Sequence, residues 1–124
     1  MQNYIEVTER FVKHYYQLWN TNQNSIKDLY GLGACITYLG NKYNNFHHIL
    51  NYLTLIGIKK LTFDNLKFTS QPLGEDKILI NIWGNVTSNG IHYRKFTETI
   101  ILYRDIWNRW YITNSIFCLM DIAI

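Results

Sequence analysis

Hydrophobic spacing changes its period about halfway along the chain, and that change restricts the fold more than any single residue does. From Tyr4 to Trp19 the apolar residues Tyr4, Ile5, Phe11, Val12, Tyr15, Tyr16 and Trp19 recur at steps of three and four, the spacing of one helix face. Beyond that half the chain turns β-prone, over Lys60 to Phe68, Lys77 to Thr87, Ile91 to Arg104 and Arg109 to Phe117. Helices gathered at one end and strands at the other read as an α+β domain.

The segments between sharpen that order. Ser25-Ile26-Lys27-Asp28 sets a capping hydroxyl three residues ahead of a carboxylate and opens a short second helix that Gly31 and Gly33 end. Cys35 to Leu39 is β-prone, and Gly40-Asn41 before Lys42-Tyr43 reads as a tight hairpin because both turn residues tolerate positive φ. Asn44 or Asn45 then caps a third helix to about Leu55, with Ile49, Leu50 and Leu53 on one face and Gly57 beyond its end. Later breaks fall at Pro72-Leu73-Gly74, Ser88-Asn89-Gly90 and Asp105-Ile106-Trp107-Asn108, with Asn89-Gly90 the strongest hairpin signal. The expected order is helix, helix, hairpin, helix, four-strand meander.

At 124 residues the chain has the size of a single domain, taken as 1–124. A hydrophobic fraction of 48% with only 17% charged residues argues against disorder. The net charge of +3 comes from Lys and Arg scattered singly or in pairs, such as Lys59-Lys60 and Arg94-Lys95, so direct nucleic-acid binding is not expected. Met1 to Arg10 carries Glu6 and Glu9 and lacks the pattern of a secretory leader. No apolar run approaches the roughly 18 to 20 residues of a membrane span, so a soluble chain without membrane insertion is expected. Cys35 and Cys118 show no Cys-x-x-Cys or Cys/His spacing. Two buried, reduced thiols are expected, which fits cytosol or nucleus.

Ile78-Leu79-Ile80 and Ile82-Trp83 are apolar at both parities, whereas an antiparallel strand with one solvated face alternates. Helices can cover one face of that strand. Too little chain remains to cover the other, so a second subunit is expected there.

Two separated stretches carry a family resemblance. Phe11-Val12-Lys13-His14-Tyr15-Tyr16-Gln17-Leu18 resembles the first-helix signature of the nuclear transport factor 2 family, and the similarity runs on through Tyr30, Cys35-Ile36-Thr37-Tyr38, Gly40 and Tyr43 to about Leu61. Near the end Trp110, Thr113-Asn114, Phe117 and Leu119 resemble the family's Trp-x-x-Thr-Asn-x-x-Phe-x-Leu strand. The resemblance implies a cone: three N-terminal helices, a small hairpin, and a bent antiparallel sheet wrapped around the long first helix, its outer face used for dimerisation. On that basis the dimer face is expected to include Ile80, Ile82 and Ile116.

The resemblance also implies protein partners and no cofactor. They are Ran in its GDP form, gripped at an apolar cavity rimmed by acids, and nucleoporin Phe-Gly repeats near the dimer interface. A place in cytoplasm and nucleus, at the pores of the nuclear envelope, follows from those partners. By position Tyr38, Leu39, Ile56, Ile58 and Phe117 match cavity-lining sites, and Tyr4 matches a nucleoporin-contacting Trp. A partner aromatic in such a dry pocket would be selected by carboxylates at the rim. This chain departs from the pattern there. Leu39 stands at a rim Glu, Ser88-Asn89 replace an acidic loop, and Ser115 and Cys118 stand where Asp and Arg are usual. A second branch of the family lacks that rim and pairs with a larger mRNA-export subunit, and Arg94-Lys95-Phe96 looks more like that branch.

The same cone houses isomerases and dehydratases, so an enzyme is a further alternative to be judged on its site. Such an enzyme needs a carboxylate or His with a shifted pKa held in the pocket. Glu98 shares strand parity with Phe96, Ile100 and Leu102 and is expected in apolar surroundings, where the family pattern carries a Gln. His14 belongs to the matched helix signature. His47-His48 are adjacent on a helix, so they diverge and do not chelate one metal. The reading is a binding domain, without a catalytic or metal centre.

Overall fold

The computed structural model describes residues 3–120, so the outermost residues of the 1–124 domain lie outside the described residues. Helix α1 spans Tyr4–Thr21 and is capped by the Asn3 side chain, which accepts from the Ile5 N–H. Its inward stripe of Thr8, Val12, Tyr15, Tyr16 and Trp19 is buried, matching the sequence period. The second helix is a 3-10 segment, Gln23–Leu29. Helix α2, Phe46–Leu55, starts where Asn45 accepts from the His47 N–H and ends before Gly57 at φ 83.

Six strands form one sheet in the order β2-β1-β6-β5-β4-β3, with ranges β1 Tyr30–Tyr38, β2 Asn41–Tyr43, β3 Leu61–Pro72, β4 Lys77–Ser88, β5 His92–Arg104 and β6 Trp110–Met120. All pairings are antiparallel except β1 with β6, which is parallel. That pairing is the parallel exception in an otherwise antiparallel sheet, and its cause is long-range: α2 and four strands separate β1 from β6 in the chain. The first hairpin turns at Leu39 (φ 53) and Gly40 (φ 81), one residue earlier than the sequence suggests. Leu39 is held there by its N–H donating to the Phe117 carbonyl at 3.0 Å. Asn89 (φ 52) and Gly90 (φ 72) make the β4–β5 turn as expected. β3 runs on through Pro72, which sits at the end of an edge strand where a missing N–H is tolerated.

The sheet curves around α1, and rings fill the space between them. Tyr16 packs 5.0 Å from Phe63 and 5.8 Å from Phe96, while Trp19 lies 5.4 Å from Phe46. Asn20 pins the end of α1 to β3, donating to the Phe63 carbonyl at 3.1 Å and accepting from the Phe63 N–H at 2.8 Å.

Strand parity sorts the two faces. Ile78, Ile80 and Ile82 are fully buried on the α1 side, where Ile80 sits opposite Ile100, and Ile82 opposite Glu98. Ile80 and Ile82 therefore do not form the outer face, contrary to the expectation. Their neighbours Leu79, Asn81 and Trp83 stand on it, with Ile116 half exposed beside them. Cys35 and Cys118 are exposed free thiols rather than buried ones, because both fall on that outward parity.

Candidate functional site

Inside the cone, Glu98 of β5 is 3% exposed and carries both α1 hydroxyls on its carboxyl. Tyr16 donates to one oxygen at 2.6 Å and Tyr15 to the other at 2.9 Å. The Tyr15 hydroxyl lies 3.5 Å from that of Tyr30, which lies 3.4 Å from the Ser115 hydroxyl. Burial pushes the Glu98 carboxyl up to about 7, against the downward pull of the Tyr16 and Tyr15 hydrogen bonds. Burial, and then the neighbouring carboxyl, hold Tyr15 and Tyr16 well above the ordinary phenol value. Tyr30 and Tyr38 are raised for the same reasons. The arrangement has the shifted carboxyl an enzyme would need, yet rings enclose it: Tyr15 and Tyr16 are 1% exposed and Phe96 is wholly buried. As packed, it ties helix to sheet.

The expected partner-cavity residues fall in two places. Tyr38 and Phe117 are buried and stacked face to face at 4.7 Å and 8°, and Phe117 stacks in turn on Phe96 at 5.5 Å. Leu39 follows directly, tied to the Phe117 carbonyl. Ile58 packs partly buried against the core, while Ile56 is exposed at the end of α2. Tyr4 is half-buried on α1. His14, His47 and His48 are all exposed. The Ser88-Asn89 loop is neutral, and the Asn89 side chain accepts from the Lys59 and Lys60 N–H groups while donating to the Gly57 carbonyl. Two exposed lysines, Lys59 and Lys60, thus adjoin that loop.

The outer face is laid out in cross-strand rows. Trp83, Thr97 and Cys118 form one, Asn81, Thr99, Ile116 and Thr37 the next, and Leu79, Ile101, Asn114 and Cys35 a third. A concavity of about 800 Å³ opens at one end, lined among others by Lys67, Trp83, Tyr93, Lys95 and Met120. It forms where the β3 bulge between Asp64 and Lys67 crosses Gly84, whose absent Cβ would lie 2.9 Å from the Asp64 carbonyl. Sequence reasoning missed Leu79, Trp83 and Ile101. The signal was present in strand parity, since residues one step from Ile80 and Ile82 must face the other way. It also missed the tyrosine partners of Glu98, which lie more than 80 positions away in α1.

Among the described residues, no group of three or more His, Cys, Asp or Glu is placed to hold a metal ion, and no helix is long and apolar enough to cross a membrane.

Comparison with known proteins places this geometry. Nuclear transport factor 2B of Arabidopsis thaliana is 28% identical over 113 residues, covering 90% of each chain. The structure of nuclear transport factor 2 from Cryptosporidium parvum superposes with a TM-score of 0.79 at 23% identity, covering 90% of each chain. The structure of a putative scytalone dehydratase from Novosphingobium aromaticivorans shares the fold at a TM-score of 0.75 and 9% identity, over 94% of this chain and 84% of its own. The sequence matches the Nuclear transport factor 2 (NTF2) domain over residues 7–119, and the chain belongs to that family.

Proposed function

We propose that the chain is a non-enzymatic transport factor, a homodimer that binds Ran-GDP and nucleoporin Phe-Gly repeats in passage between cytoplasm and nucleus. The observation that carries this reading is the enclosure of the Glu98 carboxyl by buried rings. With Glu98 enclosed and tied to two tyrosines, recognition is left to the surfaces. Family membership and the name of the plant relative support the transport role. Dimerisation is supported by the outer face, where Leu79, Trp83, Ile101 and Ile116 put apolar area among threonines and asparagines. Ran would seat against Tyr38, Leu39, Ile56, Ile58 and Phe117, with the nucleoporin repeats near Tyr4. Immobilised protein should retain Ran-GDP and release Ran loaded with GTP. Failure to retain Ran-GDP sinks the import reading.

A second reading is favoured by the rim. Leu39 and the neutral loop beside Lys59 and Lys60 offer no carboxylate to a basic partner surface. In that reading the chain is a small mRNA-export cofactor, and its outer face pairs with the similar domain of a larger export subunit. Light scattering decides between them: a stable homodimer that does not exchange with such a subunit removes the export reading.

A further inference from the structure

Among the described residues Glu98 is the buried carboxyl of the core, and its two hydrogen-bond donors both come from α1. It is thus the polar tie between the first helix and the middle of the sheet. Its cross-strand neighbours are Ile82 on β4 and Phe117 on β6, and Phe117 carries the Tyr38 ring. The titratable groups facing it are Tyr15 and Tyr16 from α1, and Tyr30 and Tyr38 from β1. Ser115 from β6 reaches the cluster through Tyr30. Burial outweighs the pull of the Tyr16 and Tyr15 hydroxyls on the carboxyl.

A charge in such a place is costly. Two hydroxyl donors offset part of the lost hydration, but an uncompensated buried carboxylate favours taking up a proton, admitting water or moving outward. The neutral acid has no such drive: it still accepts from one tyrosine hydroxyl, and its own O–H can donate to the oxygen of the other.

We propose that Glu98 is a proton-operated latch: neutral, it closes α1 onto the sheet and holds the Tyr38–Phe117 stack packed; ionised, it loosens α1 and frees that stack to move. The latch itself stands on the isolated chain. Its consequence, control of access to the Tyr38–Phe117 floor, rests on the reading of those residues as a partner site. Titration of the carboxyl at about 7 puts the transition near neutrality.

The test is NMR of the full chain, with labelled glutamate carboxyls and aromatic rings, from about pH 5 to about pH 9. The Glu98 carboxyl should titrate near 7, and the Tyr15, Tyr16 and Phe117 ring signals should move with the same midpoint. Amide exchange within α1 should quicken about tenfold beyond base catalysis across that midpoint. Glu98→Gln, which keeps polar pairing without charge, should remove both changes. Tyr15→Phe, which deletes one donor and leaves the ring, should raise the midpoint. A midpoint in the ordinary carboxylate range, rings indifferent to the titration, or unchanged exchange behaviour in Glu98→Gln overturns the latch. Ran-GDP retention is scored separately on both sides of the midpoint. Absence of retention at either pH removes the transport reading and leaves the latch standing. Equal retention with moving rings removes the control of access.

Discussion

The two faces of one sheet divide the chemistry of this molecule. On the α1 side lie Ile78, Ile80, Ile82, Phe96, Ile100, Leu102 and Phe117, packed against rings, with Glu98 and Ser115 as the polar insertions. One residue away on the same strands lie Leu79, Asn81, Trp83, Thr97, Thr99, Ile101 and Ile116, spread among hydroxyls and amides. The contrast teaches where selection acts. Inward positions answer to volume, because close-packed interiors penalise any gap. Outward positions must tolerate water, and in the proposed dimer they would also offer apolar area to a partner.

The strongest blow to that contrast would come from the inner face. Phe96→Ala, which empties a wholly buried site between Phe63 and Phe117, should cost about 3 to 5 kcal/mol in urea denaturation, whereas Thr97→Ala beside it should stay within about 1 kcal/mol. Equal losses would erase the distinction.

Next in size is the pH dependence of the inner face. The folded carboxyl of Glu98 lies at about 7, above its ordinary 4.5, so the folded state holds a proton that the unfolded state releases. The contribution is fully present below about pH 4.5 and is lost as pH rises through about 7, an upper bound of about 3 kcal/mol. Glu98→Gln should flatten that slope in denaturation curves taken across the window; an unchanged slope would assign it elsewhere.

The junction of the two faces at Gly84 comes third. A Cβ there would meet the Asp64 carbonyl at 2.9 Å and the Asn65 carbonyl at 3.0 Å, so Gly84→Ala should force the β3 bulge aside and cost about 1 to 3 kcal/mol. Thermal melting with backbone NMR of β3 would show whether the bulge is what yields.

The smallest effect on folding belongs to the outer face. Ile116→Asp should leave the unfolding free energy of the subunit within about 0.5 kcal/mol, because the side chain is half exposed. The same change should dissociate a homodimer in sedimentation velocity. If the homodimer survives, Ile116 lies outside its interface.

Much of the architecture was legible in the residues. The stripe from Tyr4 to Trp19, the Asn45 cap, the Asn89-Gly90 turn and the apolar parity of Glu98 all appear where local rules put them. The surface was less legible. Ile80 and Ile82 read as an outer face because two-sided apolarity shows that both sides are covered without saying which parity meets α1. Cys35 and Cys118 read as buried because cysteine usually is, and that preference yields to strand parity.

The amino-acid sequence by itself determined the elements, their order and the family, since helix period, turn residues and the two matched stretches are all local patterns. Tertiary structure alone decided that β1 runs parallel beside β6, that Tyr15 and Tyr16 close on a carboxyl more than 80 positions away, and that Tyr38 stacks on Phe117. Contacts between distant segments carry no local signature, because they arise only when the whole sheet has curved around the helix and burial has set the strength of each charge.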